Sequence, residues 1–390
     1  MNLAQRMSRM GTETAFEVLD RARKLEAVGK KVIHLEIGEP DFNTPQHIIA
    51  AACKALHEGY THYGPAAGLP ELREAIAQHV SKTRNIKVKA SNVVVTPGAK
   101  PIMFFAVLAL IDKGNEVIYP DPGFPIYKSI VDFVGAKSVP IKLREENQFR
   151  MDMAELKKLV NKKTKLLFLN SPHNPTGSVL SKEDLKQISE IVLKHKQLFV
   201  LSDEIYGRVL YDGMAHSPAS FPGMQERTII LDGFSKAYAM TGWRLGYGVM
   251  PEKLVLAMSQ LMINSNSCTA SFCQRAALEA LTGPQDEVEK MVAEFKRRRD
   301  VIVKELNSIP KLSCQMPHGA FYAFPNIKKT VWKSKKFADY LLDEAGVAVL
   351  SGTSFGKYGE GFVRISYANS LENIKEGLNR IRKAVEKISK

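Results

Sequence analysis

Residues 228–246 read TIILDGFSKAYAMTGWRLG. The run from Thr228 to Gly233 is apolar and β-rich, the composition of a buried strand. Lys236 follows it by three residues, an unusual place for a side chain that prefers water. Desolvation and neighbouring cations lower the pKa of such a lysine and leave a nucleophilic amine, as a Schiff-base lysine needs. Ser235 stands beside it and Arg244 eight residues on, so a hydroxyl and a guanidinium can both serve a phosphate.

Outward from this stretch the chain alternates. β-rich runs occur at 92–96, 116–119, 137–141, 165–170, 197–202, 228–233 and 245–250. Helix-like stretches separate several of them, at 99–112, 124–134, 152–160, 181–194 and 251–264. This predicts an α/β fold, a large domain whose mostly parallel seven-stranded sheet is covered by helices. Upstream, residues 12–29 read as a helix with Phe16, Leu19, Ala22 and Leu25 on one face. Residues 32–37 read as a strand ending at Gly38-Glu39-Pro40, and helices follow at about 45–57 and 69–82. Downstream come a long charged helix at 285–306 and strand-like pieces at 320–324, 347–350 and 362–367. The last helix carries Ile374, Leu378, Ile381, Val385 and Ile388 as a core-facing stripe. The expected division is a large domain over 46–285 and a smaller α+β domain over 286–390, which the N-terminal segment 1–45 joins.

Polar oddities sit just after the strand runs, where open parallel sheets bind ligands. Thr96-Pro97-Gly98-Ala99-Lys100 opens a helix beside a glycine, so its backbone N–H groups suit a phosphate. An ordinary strand-to-helix turn reads equally well there. The turn from Asn170 to Gly177 (NSPHNPTG) places Asn174 to donate into the same crevice, although such a turn can be purely structural. In Ser202-Asp203-Glu204-Ile205-Tyr206, a carboxylate at a buried strand end needs a partner. A cationic ring nitrogen would be one; a helix N-cap role for Asp203 is the alternative.

The runs SDEIY and FSKAYAMTGWRLG and the NPTG turn, in this order and spacing, resemble the class I/II aminotransferases of the fold-type I pyridoxal-phosphate enzymes. Within them the chain is similar to the branch of aspartate, alanine and aromatic aminotransferases, from about residue 30 to 370. The resemblance implies that Lys236 holds pyridoxal 5'-phosphate and then moves the proton of the 1,3-shift. It implies that Asp203 keeps the pyridine nitrogen protonated. Tyr206 and Asn174 would bond the 3-oxygen, and Phe124 would stack on the ring. Gly98, Ala99, Lys100, Ser235 and Arg244 would hold the phosphate, and Tyr63 would reach the phosphate of a neighbouring subunit, which implies a homodimer with shared sites. Arg364 would clamp the substrate α-carboxylate, helped by Asn174 and the Gly38 N–H. The implied reaction is ping-pong transfer of an amino group from an L-amino acid to a 2-oxo acid. Aspartate is the first expected donor, alanine or an aromatic amino acid follows, and 2-oxoglutarate is the expected acceptor. A pyridoxal-phosphate lyase that eliminates at the β-carbon shares the same lysine. A cofactor-binding regulator would need a DNA-binding domain, for which the roughly 45 residues before the core leave no room.

Bulk properties fit this reading. The net charge of +14 invites a nucleic-acid function, but the lysines are spread along the chain and no basic arm or binding motif accompanies them. Cys53, Cys268, Cys273 and Cys314 form no CxxC pair and read as buried free thiols of a reducing, cytoplasmic compartment. The nine histidines lack metal-ligand spacing. The N-terminus has no apolar signal region, and the run from Ile102 to Ile111 is too short to span a bilayer, so no membrane partner is expected. No GxGxxG follows a strand, Gly352–Lys357 falls short of a P-loop, and no G-x-S-x-G appears.

Overall fold

The computed structural model describes residues 2–388. Helix α1 (Thr14–Ala27) and strand β1 (Ile33–His34) lead into helices α2 (Gln46–His57) and α3 (Pro70–Arg84). All seven β-rich runs then become strands of one sheet. They are β2 (Val93–Thr96), β3 (Glu116–Asp121), β4 (Lys137–Lys142), β5 (Thr164–Asn170), β6 (Phe199–Asp203), β7 (Thr228–Gly233) and β8 (Gly246–Val249). Their order is β2-β8-β7-β6-β5-β3-β4. β8 runs antiparallel to both neighbours, while the other neighbouring pairs are parallel.

The strands alternate their side chains between two helical layers. Leu166, Phe168 and Leu201 pack with helices α4 (Lys100–Leu110), α5 (Ile126–Phe133) and α8 (Glu252–Ser265). Leu167, Leu169 and Val200 pack with α6 (Met153–Leu159) and α7 (Lys182–Leu193). A sheet covered on both faces asks for apolar residues at consecutive positions, which is what VVVT and LLFLN supply. The edge strand β4 alternates half-buried and buried positions after an exposed Lys137 and tolerates Pro140, since one side of its backbone has no strand to pair. Two sequence signals set the entry to helices. Asp152 accepts from the backbone of Ala154 and Glu155 to cap α6, and Ser181 with Asp184 forms a reciprocal capping box on α7.

Helix α9 (Ser271–Thr282) packs with α2 and α3 against the β2–β8 end of the sheet. The remaining elements are α10 (Asp286–Asn307), β9 (Tyr322–Ala323), α11 (Ser334–Tyr340), β10 (Val347–Ala348), β11 (Leu350–Ser351), β12 (Val363–Ser366) and α12 (Leu371–Lys387). β11, β12 and β9 form a three-stranded antiparallel sheet, and β1 pairs β10 in parallel. Ile374, Leu378, Ile381 and Val385 of α12 are buried in the core beside this sheet. The strand expected at 32–37 shortens to two residues, although Leu35 continues bonding through its N–H to Ala348 and its carbonyl from Ser366. On α1, Ala22 is fully buried, but Phe16 is 62% exposed rather than in the expected core face. Helices α9 and α11 are additions to the sequence reading. Among the described residues no helix is long and apolar enough to cross a membrane.

Candidate active site

The carboxyl ends of β5, β6 and β7 bring Asn170, Asp203 and Gly233 to one edge of the sheet, and β2 brings Thr96 there. Because β8 is antiparallel, its first residue Gly246 lies beside both Thr96 and Gly233. Arg244, two residues earlier, is therefore at the same edge as Lys236. Asn170, Asp203, Lys236 and Arg244, together with Gly38, Phe124, Asn174, Tyr206, Ser235 and Arg364, line a cavity of about 540 Å³.

Lys236 Nζ donates to the carbonyl of Gly38 at 2.5 Å. Burial pulls its ammonium down to about 8; Glu39 opposes this and Arg364 adds to it. The amine is thus far closer to its neutral, nucleophilic form near pH 7 than a surface lysine. Asp203 is buried at the end of β6, where Tyr127 Oη donates to Oδ2 at 2.7 Å and the Ile205 N–H to Oδ1 at 3.2 Å. Burial pushes this carboxyl up to about 6, and Asp232 and Glu204 push the same way, while both hydrogen bonds pull it down. Neither bond brings a cation, so the buried charge is only partly compensated. The two neighbouring acids are neutralised elsewhere: Arg84 Nε reaches Glu204 at 2.9 Å and Arg84 Nη2 reaches Asp232 at 2.6 Å, both buried.

Backbone packs unusually closely at the start of α4. A Cβ added to Gly98 would run into the Arg244 guanidinium, and one added to Gly246 would run into the backbone of Ala99. Gly98 also has φ +88°, a conformation that only glycine adopts without cost. Ala99 and Lys100 at the helix start, the buried Ser235 and the exposed Arg244 all line the cavity, and backbone N–H groups at a helix start suit an anion. Arg244 Nη1 donates to Thr241 O at 2.7 Å, which fixes the arginine's course. Phe124 flanks the cavity and meets Tyr127 edge-on, with ring centres 5.7 Å apart.

At the opposite wall Arg364 is buried within β12. Its Nη1 donates to Asn174 Oδ1 at 3.2 Å and its Nη2 to the carbonyl of Glu36, while Nε has no partner. The guanidinium lies 4.4 Å from the Tyr322 ring centre and 4.9 Å from that of Phe355. A buried cation without a carboxylate partner is costly, and burial lowers its pKa. Tyr206 Oη bonds Tyr322 Oη at 2.7 Å. Gly38 is held close to Tyr322 as well, since a Cβ there would meet the phenol oxygen.

Most residues singled out in the sequence meet in this cavity, and two groups do not. Tyr63 lies outside the cavity lining and is 90% exposed on the single chain. The four cysteines are free, but Cys53 is exposed on α2 and Cys268 half-buried in a loop, so the expected burial holds only for Cys273 and Cys314. Cys53 alternates with alanines on an amphipathic helix, and composition alone does not say which face it takes. Tyr127, Tyr322 and Glu13 belong to the site and were not read from the sequence. Tyr127 is the third residue after Phe124, and only a hydroxyl in an otherwise apolar helix start could have marked it.

The model of the family "Aminotransferase class I and II" matches residues 30–381. The aspartate aminotransferase of Pyrococcus horikoshii is 43% identical, over 98% of this chain and 97% of that protein. Aromatic-amino-acid aminotransferase 2 of Thermococcus litoralis is 40% identical over 99% of both chains. The solved aspartate aminotransferase of Rhizobium meliloti superposes with a TM-score of 0.95 at 38% identity, covering 99% of each chain. With an activated lysine, a buried carboxylate and an anion cradle at one sheet edge, the chain belongs to the class I and II aminotransferases, enzymes that use pyridoxal phosphate to exchange amino groups between amino acids and 2-oxo acids.

Proposed function

We propose that this aminotransferase takes its amino group from aspartate and passes it to 2-oxoglutarate by a ping-pong mechanism, with the cofactor carried on Lys236. The residues present fit the group. The Asp203 carboxylate, which has hydrogen bonds but no cation beside it, suits a protonated ring nitrogen, and the helix start beside Gly98 suits a phosphate. Bound there, pyridoxal phosphate supplies an electrophilic carbon and a ring that accepts electron density from the substrate α-carbon. Asp203 holds the proton on the ring nitrogen, with Tyr127 orienting its carboxylate. Tyr206 and Asn174 would bond the 3-oxygen of the group, and Phe124 would pack against its ring. The N–H groups of Gly98, Ala99 and Lys100, with Ser235 and Arg244, hold the phosphate. Once its amine is free, Lys236 takes the α-proton and returns it. Arg364, with Asn174 and Gly38, holds the substrate α-carboxylate.

The observation that carries the substrate assignment is a surplus of cations. Lys236, Arg244, Arg364 and Lys100 are the cations of the cavity wall. Three have the duties above. Lys100 Nζ has none of these duties; it lies 5.5 Å from the centre of the Phe124 ring and ion-pairs the Glu13 carboxylate, and a second substrate carboxylate is the group it suits. Names of relatives support the same class, since aspartate and aromatic aminotransferases are both among them.

The test is a half-reaction screen. Cofactor-loaded protein is mixed with single amino acids while the cofactor absorbance is followed, with pyruvate and ammonia release as the lyase control. Aspartate should convert the cofactor fastest and 2-oxoglutarate should restore it. Faster conversion by alanine or phenylalanine would remove the aspartate assignment. A homodimer with sites shared through Tyr63 belongs to the same proposal, and sedimentation should give twice the 43.4 kDa chain mass. A cytoplasmic location is proposed too, supported by the four free cysteines. So is the grouping of residues 1–45 with 286–390 beside the large domain 46–285, supported by the pairing of β1 with β10.

A further inference from the structure

Two carboxylates of the cavity lining, Glu13 and Glu39, have no part in these roles; Glu39 accepts from the Thr241 hydroxyl, and Glu13 is the one that pairs with a lysine of the wall. Glu13 directly precedes α1, lines the cavity and ion-pairs Lys100 Nζ. Its side chain is only 18% exposed, while Lys100 is 51% exposed. Its position is fixed from both sides. Upstream, the Gly11 N–H donates to Ser129 Oγ at 2.9 Å, and Arg9 bonds the carbonyls of Asp132 and Phe133 at 2.8 and 3.1 Å. Those partners lie on or at the end of α5, whose chain begins just after Phe124. Downstream, Ala22 of α1 is buried with Val32, Leu342 and Ala348. The Glu13 charge also acts on Lys236, Arg364 and Tyr322, so it faces into the site.

A single ammonium does not hold two carboxylates at full strength. We propose that Glu13 is a specificity-determining residue, a tethered carboxylate that occupies Lys100 in the resting protein. A dicarboxylic substrate has to displace it, whereas an aromatic or aliphatic amino acid binds with the pair intact. This rests on the reading that Lys100 receives the second carboxylate. Because the competitor is tethered, its effective concentration is high and the apparent affinity for a dicarboxylate falls by the fraction of Lys100 left free. A half-exposed pair of this kind limits the effect to about two- to fivefold.

The experiment measures binding to the cofactor-loaded protein by calorimetry, with succinate and 3-phenylpropionate as unreactive probes. Glu13→Gln should tighten succinate about two- to fivefold and leave 3-phenylpropionate unchanged, which also reports an intact site. In turnover, kcat/KM for aspartate should rise relative to phenylalanine. In a Lys100→Gln background, succinate should bind more weakly and Glu13→Gln should no longer tighten it. If Glu13→Gln leaves succinate unchanged, or tightens both probes equally, Glu13 is not the competitor and the proposal is overturned while Lys100 keeps its role. If Lys100→Gln alone leaves succinate binding unchanged, the reading of Lys100 fails and the proposal with it.

Discussion

Lys236 has to be sheltered enough to lose its proton and open enough to meet a cofactor. Burial sets its amine near 8, and the neutral form is the one that attacks a carbonyl carbon. With the folded value lowered, the neutral fraction grows with pH up to about 8 and then levels off. Capture of pyridoxal phosphate by the cofactor-free protein should therefore rise about tenfold per pH unit below that point and flatten above it. Stopped-flow absorbance measures it directly. Continued rise toward pH 10, the behaviour of a surface lysine, would show that burial does not activate this amine. At this scale the charged residues were legible. Lys236, Asp203 and Arg364 each stand in or just after an apolar run, and a charge there demands a reason. Tyr127, Tyr322 and Glu13 were not. An aromatic ring in an apolar segment reads as core whether or not its hydroxyl works, and a glutamate ahead of a helix carries no pattern.

The element that most shapes the site is β8. Its antiparallel course carries Arg244 to the ligand edge, and its first residue packs flat against the start of α4. Gly246→Ala should destabilise the protein by about 1–3 kcal/mol, because the obstructing atoms are Ala99 and Gly98 backbone that no side-chain rotation can clear. It should also weaken cofactor binding if, as proposed, the same backbone holds the phosphate. Urea unfolding of the cofactor-free protein and titration with pyridoxal phosphate check the two effects separately. Unchanged stability with unchanged affinity would mean that the cradle is not closely packed. All seven strands of the large sheet were legible because each is apolar at consecutive positions. The direction of β8 was not, since periodicity says nothing about strand sense. Helix α9 escaped because its buried face is Ser271, Cys273, Gln274, Ala276, Ala277 and Ala280, small or polar residues that leave little hydrophobic period. Helix α11 spans only seven residues, too few for a period to show.

Over the whole molecule, motifs far apart in sequence converge because a parallel sheet gathers its strand ends. Gly38 and Lys236 are 198 residues apart and share a hydrogen bond, and Asn174 and Arg364 are 190 apart and share another. The order of motifs was therefore a readable signature of the family, while the identity of the amino acid was not. In the proposed reading, specificity rests on Lys100 and Glu13, a contact across 87 residues that exists only once α1 is packed in place. The net charge of +14 is consistent with anionic substrates but distinguishes none of them. The central claim is that Lys236 carries the cofactor, and borohydride reduction of the loaded protein followed by peptide mapping tests it most directly. The pyridoxyl group should appear on the peptide containing Lys236, and Lys236→Ala should show neither the label nor transamination. A label on another lysine, or full turnover by Lys236→Ala, would contradict it.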